Sequence, residues 1–155
     1  GQCAEFCGIA HALMRFQVQV LDQNDYAAWV EGYSAPPATS EAAKRGKAVF
    51  GQCAMCHSID GGDDSAIQAS RRDAFLSGGA LAPAPNLTDL RTRATLAAGL
   101  MDLNKENLKR WITDPDEVKP GNYMKARAAH LYGSGNISLS DSDLDALAAY
   151  LLNLQ

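Results

Sequence analysis

Two groups of side chains in this sequence of 155 residues carry the atoms that metal or cofactor chemistry needs. In Cys53-Ala54-Met55-Cys56-His57, two thiols separated by two residues precede an imidazole. C-x-x-C-H is a haem-attachment pattern, in which each thiol adds across one porphyrin vinyl group and the imidazole becomes an axial iron ligand. Nearer the start, Cys3, Cys7, His11 and Met14 put two thiols, an imidazole and a thioether on one short stretch. That donor set is soft. Thiolate with thioether selects copper, and the second cysteine permits two sulfur bridges between two ions. The spacing leaves open a zinc site, or a disulfide with His11 and Met14 as bystanders, although methionine is a poor zinc ligand.

A haem iron ligated by His57 has a sixth position to fill, and the chain has four methionines. Met55 lies between the haem cysteines and would face away from the iron, and Met14 belongs to the other group. Met101 precedes a helix and reads as core. Met124 follows Lys119-Pro120-Gly121-Asn122-Tyr123, a loop stiffened by proline and turned by glycine. A thioether held on such a loop raises a haem potential and leaves no open coordination position.

The elements that must position these groups are mostly helical. Thr39 or Ser40 caps a helix expected from Glu41 to about Gln52, with Ala43, Gly46, Phe50 and Cys53 on one face. At the far end, Ser140 with Asp143 forms a capping box, and Leu139 with Leu144 a hydrophobic staple. Leu144, Leu147, Tyr150, Leu151 and Leu154 continue as an apolar stripe. Gly46 would let these two helices cross closely. Between them, Thr92 to Ala98 is expected as a short helix closed by Gly99. Asn104 is expected to cap a helix bearing Leu108, Trp111 and Ile112, which Asp114-Pro115 ends. Residues 60–79 are polar and glycine-punctuated, expected as a surface loop with a helical turn near Arg71 to Leu76. Upstream, Phe16, Val18 and Val20 alternate with Gln17 and Gln19 as a half-buried strand over Arg15 to Leu21. Asn24 is expected to cap a helix carrying Tyr26, Trp29 and Val30, and the Pro-, Ala- and Ser-rich stretch that follows is a linker.

A net charge of −4 and an aromatic content of 7% make nucleic acid a poor partner. No apolar run reaches the 18 or so residues of a membrane span, and no secretory leader pattern is present. The sequence opens inside a motif, at Gly1-Gln2-Cys3, so the chain is expected to be part of a longer protein whose missing N-terminal segment carries a membrane anchor.

The stretch Cys3-Ala-Glu5-Phe-Cys7-Gly-Ile-Ala-His11-Ala-Leu-Met14, then a strand and a helix with Trp29, resembles the C-terminal end of cytochrome c oxidase subunit II. There the loop holds a dinuclear copper centre, CuA, on a cupredoxin barrel. The resemblance implies that Cys3 and Cys7 bridge the coppers, His11 and Met14 are terminal ligands, and Glu5 offers its backbone carbonyl. The family's other histidine ligand is not in this chain, so the site is expected to be incomplete. Residues 41–155 resemble a class I cytochrome c. That resemblance implies Cys53 and Cys56 as haem attachment sites and His57 and Met124 as axial ligands. It further implies that the Pro85 carbonyl receives the His57 Nδ1–H, that Leu87 belongs to the same segment, that Arg93 steadies a haem propionate, and that Trp111 lines the haem. Between Ser58 and Ala82 the chain departs from the pattern, and nothing is carried across.

These resemblances imply a mainly α chain: a truncated copper domain with a short β/α remnant over 1–32, a linker over 33–40 and a cytochrome c domain over 41–155. They resemble oxidases in which subunit II carries a fused cytochrome c. The expected role is electron transfer at the extracytoplasmic face of a membrane. An external donor (a cytochrome, a quinol-oxidising complex or another redox protein) would reduce a covalent haem c, and CuA and the oxidase catalytic subunit would follow. No bond chemistry is expected of the chain itself. A free-standing monohaem carrier is the alternative, and a zinc module using Cys53, Cys56 and His57 is a further one. A thioredoxin-like site lacks its βαβ context. Lys44, Arg45, Lys47, Lys119, Lys125 and Arg127 either ring the haem edge for an acidic partner or are ordinary solvated residues.

Overall fold

The computed structural model describes residues 1–33, 38–59, 84–133 and 135–154. It is mainly helical, with one small sheet. After a 3-10 turn at His11–Leu13, helix α1 spans Gln23–Glu31 and α2 spans Glu41–Phe50. A second 3-10 turn, Leu90–Thr92, leads into strands β1 (Thr95–Leu96) and β2 (Met101–Asp102). Helix α3 covers Lys105–Thr113, α4 Pro115–Val118, α5 Met124–Arg127, α6 Ala129–Tyr132 and α7 Asp141–Leu151.

The cytochrome-like region is framed by α2 and α7. Ser40 caps α2 by accepting the Ala43 amide at 3.1 Å, which satisfies one of the orphan donors of the first turn. Ser140 and Asp143 form the complete capping box of α7. Ala43, Gly46 and Phe50 are the buried face of α2, and Leu144, Leu147, Tyr150 and Leu151 lie on the buried side of α7. The helices cross at Gly46, where a methyl group would overlap the Ala146 carbonyl and come within 2.6 Å of Tyr150 Cβ. Phe50 and Tyr150 pack beside the crossing, ring centroids 5.7 Å apart. Arg45 adds an ion pair to Asp143 at 2.8 Å. The core continues from these helices to Ile59, Leu90, Leu96, Leu108 and Ile112, and Leu147 and Leu154 are fully buried. Each buried leucine contributes roughly 1.5–3 kcal/mol of transfer free energy.

Helix α3 begins at Asn104, whose side chain accepts the Asn107 amide at 2.8 Å. It buries Leu108 and Ile112. Asp114 ends it, and the same carboxylate accepts the amides of Asp116 and Glu117 to start α4, with Pro115 in the first turn.

Four local expectations are corrected. The segment from Thr92 to Ala98 is not a helix. It contributes β1, which pairs antiparallel with β2 through Thr95–Asp102 and Leu96–Met101. Ala97, Ala98 and Gly99, all at positive φ, form the turn, a conformation alanine seldom adopts and sequence rarely announces. Met101 is accordingly on a strand. Residues 15–21 form no strand beyond a single bridge from Gln2 to Arg15, because no neighbouring strand completes a ladder among the described residues. Phe16, Val18 and Val20 are exposed. Asp22, two residues before Asn24, caps α1 by accepting the amides of Asn24 and Asp25. The helix at Glu41 stops at Phe50, and Gly51 to Cys56 follow as turns. The expected loop at 60–79, with its turn near Arg71 to Leu76, falls outside the described residues.

Candidate functional site

The Cys53–His57 stretch leaves α2 as a continuous set of tight turns. The amides of Cys53 and Ala54 donate to the Phe50 carbonyl at 2.8 and 2.9 Å, and those of Cys56 and His57 to the Cys53 carbonyl at 3.0 Å. The anchor is Phe50, itself locked in the crossing with α7. Cys53, Cys56 and His57 are half-buried, while Met55 points to solvent, as expected of a residue between the cysteines. Burial, assisted by the neighbouring Cys56, pushes the Cys53 thiol up to about 11. Cys53 packs against the main core together with Leu87 and Trp111.

His57 and Pro85 approach to 2.9 Å between Nδ1 and the carbonyl oxygen, so Nδ1–H donates and Nε2 keeps the lone pair that a metal could take. Burial holds the imidazole below its ordinary range. The Pro85 carbonyl opposes that shift and the Arg93 charge reinforces it. A neutral imidazole is the metal-binding form. The segment that carries Pro85 is itself braced. Asn86 Oδ1 accepts the Thr88 amide at 2.9 Å and the Thr88 hydroxyl at 2.6 Å, and Thr88 is fully buried. Arg93 donates to the Asn86 carbonyl at 2.5 Å and to Asp89 at 2.7 Å. Its guanidinium thus holds the proline segment in place.

Met124 opens α5 and is half-buried. Its loop is organised by Asn122, which the sequence reading passed over. The Asn122 side-chain nitrogen lies 2.9 Å from the Pro115 carbonyl, 2.7 Å from the Lys119 carbonyl and 2.9 Å from Asp116 Oδ1, and its oxygen accepts the Met124 amide at 2.9 Å. Lys125 bridges to Asp114 at 3.0 Å, tying α5 to the end of α3. The Tyr132 hydroxyl donates to the Ile112 carbonyl at 2.5 Å and fastens α6 to α3. Burial, more than its acidic neighbours, pushes that phenol above its ordinary value.

These groups fit a covalently held haem. Two half-buried thiols stand on one turn, an imidazole offers Nε2, and apolar Leu87 and Trp111 share the core with Cys53. The basic residues are mostly committed within the chain: Lys44 to Glu41, Arg45 to Asp143, Lys125 to Asp114, and Arg127 over the Tyr123 ring at 5.2 Å.

The soft donors also converge. The Gln2–Arg15 bridge and the Cys3 amide, bonded to the Met14 carbonyl at 3.0 Å, pinch the loop shut. Inside it, Cys7 Sγ lies 3.6 Å from Cys3 Sγ, 3.3 Å from Met14 Sδ and 3.8 Å from His11 Nδ1, and Cys3 Sγ is 3.2 Å from the Glu5 carbonyl. The ligating atoms of Cys3, Cys7 and His11 all lie within 4.8 Å of one another. All five residues named from the sequence therefore meet. The hydrogen bond with Cys3 is the main reason the Cys7 thiol sits above its ordinary value. His130 lies elsewhere, its Nε2 bonded to the Gln52 carbonyl at 3.0 Å. No helix among the described residues is long and apolar enough to cross a membrane.

Comparison with known proteins agrees with this geometry. The family model described as cytochrome c matches residues 43–155. Cytochrome c oxidase subunit 2 of Bacillus sp. (strain PS3) is 38% identical over the whole chain, which covers 39% of that relative. The Bacillus subtilis (strain 168) protein of the same name is 36% identical with the same coverage. A shorter match of 31 residues, 55% identical, spans 20% of this chain and 10% of cytochrome c oxidase subunit 2 of Cereibacter sphaeroides. The chain thus spans about two fifths of the length of the first two relatives. From residue 43 onward it belongs to the cytochrome c family, and along its whole length it is similar to part of cytochrome c oxidase subunit 2.

Proposed function

We propose that this chain is the electron-entry portion of a haem-copper oxygen reductase, taking single electrons from an external redox protein and delivering them to a CuA centre beside the catalytic subunit. The observation that carries the reading is the His57–Pro85 contact within C-x-x-C-H. It fixes the imidazole tautomer and leaves Nε2 as the ring nitrogen available to a ligand, beside the two thiols of a cytochrome c domain. A covalent haem bound there supplies reversible one-electron chemistry of its iron.

The chain's own residues then have separable tasks. Cys53 and Cys56 would hold the group through thioether bonds, and His57 and Met124 would ligate its iron. Arg93 braces the proline segment, and its further N–H donors steady a propionate. Leu87 and Trp111 exclude water. With His57 and Met124 both bound to the iron, the group would pass electrons and offer no open position to a substrate. On this reading residues 1–32 are the end of a CuA domain, with Cys3, Glu5, Cys7, His11 and Met14 in its ligand loop, 33–40 link it, and 41–155 are the cytochrome c domain. The whole protein works at the extracytoplasmic face of a membrane, anchored by a segment beyond this chain. The convergence of the soft donors beside a cytochrome c domain favours this over a free-standing carrier.

A pyridine haemochrome spectrum combined with the intact mass tests the cofactor directly: one c-type haem per chain, covalently attached, is expected. Met124→Ala should abolish the absorption band of methionine bound to iron(III) and permit rapid carbon monoxide binding. Metal analysis showing zinc without haem would refute the proposal.

A further inference from the structure

The copper loop is in contact with the loop that carries Met124. A Cβ placed on Gly121 would come within 2.6 Å of Ile9 Cβ and 3.3 Å of the Ala10 nitrogen. Gly121 adjoins Asn122, the residue that pins the Met124 amide. A second contact lies at the β1–β2 turn. The Arg15 amide donates to the Ala98 carbonyl at 2.9 Å, and a Cβ on Gly99 would lie 2.9 Å from Arg15 Cβ. Arg15 immediately follows the ligand Met14. The Ala98 carbonyl is aimed by a turn in which Ala97 and Ala98 hold φ of 55° and 61°. Non-glycine residues in that region are strained and persist where their surroundings fix them.

We propose that the Gly99 and Gly121 turns form a built docking face for the segment Ile9 to Arg15, so that the haem domain sits on the copper loop at a fixed separation. This rests on the electron-transfer reading above and adds to it the route: electrons cross a standing contact on the Met124 side, without a swing of the domain about its linker. The two glycines act as positioning residues. Neither touches a donor atom, and each is the only residue type that lets the two backbones approach so closely. An outside donor must therefore use a different face of the cytochrome domain.

Amide hydrogen exchange on the haem-loaded chain tests this, because among the described residues the Arg15 amide donates to Ala98 alone. In the native protein that amide should exchange about tenfold or more slowly than the amide of Val20, which is 92% exposed. Ile9→Asp should bring it to the Val20 rate while leaving the methionine–iron band intact. Gly121→Val should release it from the other side. If that variant also loosens the Met124 loop, the band reports it and Ile9→Asp decides. An Arg15 amide as fast as Val20 in the native chain, with the band intact, would overturn docking and leave the haem reading standing. Unchanged protection in Ile9→Asp would also overturn it. A chain without covalent haem would instead defeat the reading underneath.

Discussion

Asn122 accepts the Met124 amide at 2.9 Å through the same side chain whose nitrogen reaches the Pro115 and Lys119 carbonyls. One amide group thus sets the shape of the loop that carries Met124. Asn122→Ala removes all these bonds and leaves half-buried carbonyls to water, at a cost of about 1–2 kcal/mol. The methionine–iron band of this variant should disappear on heating at a lower temperature than the helical circular dichroism. Coincident loss of both signals would show that the loop is held by other contacts.

Gly46→Ala should run against helix propensity. In an exposed helix the change stabilises by about 1 kcal/mol. Here the methyl would overlap the Ala146 carbonyl, so the variant should be destabilised by roughly 1–3 kcal/mol. The denaturant midpoint should fall with an unchanged slope. A rise in midpoint would mean the two helices separate freely.

Acid should weaken the same crossing. The Ser140 hydroxyl first, and then Arg45, hold the Asp143 carboxyl below its ordinary 3.8. A depressed acid contributes stability above its unfolded value and loses it as pH falls through its folded value. Asp143→Asn should therefore be less stable than the native chain at pH 7, and the difference should shrink as pH falls below 3.8 and vanish once the native carboxyl is protonated. Thermal midpoints of both proteins across that range measure it. A constant offset would exclude the charge as its source.

Copper titration of this chain should give a site with a single imidazole. Of the three histidines, His57 is bonded to Pro85 and His130 to Gln52, which leaves only His11 at the loop. The mixed-valence purple spectrum of a complete dinuclear centre should be absent. Uptake should tighten as pH rises, since Cys3 holds the Cys7 thiol protonated and binding must displace that proton. A purple product would overturn the ligand count.

What the sequence made legible was local or strongly periodic. Ser140 and Asp143 stand three apart before an apolar stripe, and their capping box forms as read. Asn104 likewise caps the helix it precedes, and Gly46 marks the crossing it was expected to mark. The soft donors were legible because Cys3, Cys7, His11, Met14 and Glu5 lie on one short loop, and all meet there. The β1–β2 hairpin was not, since two-residue strands have no visible period and alanines give no hint of positive φ. Nor was Asn122, whose partners are main-chain carbonyls that converge only after α4 has turned. Arg93 could be named, but its bonds to Asp89 and Asn86 depend on how the 3-10 turn at Leu90–Thr92 bends back. The strand expected at Arg15 to Leu21 had the right alternation, but alternation builds a ladder only where another strand lies alongside.

The Arg45–Asp143 pair joins residues 98 positions apart, and the crossing beside it is what anchors Phe50 and hence the cysteine turn. Closing so long a loop carries an entropic cost, and the contact cannot form before α7 has been made. Cys53 and Cys56 are made before α7, so the turn that carries them gains its anchor only when that helix docks on α2. The order of the sequence is also a schedule: turn first, anchor last.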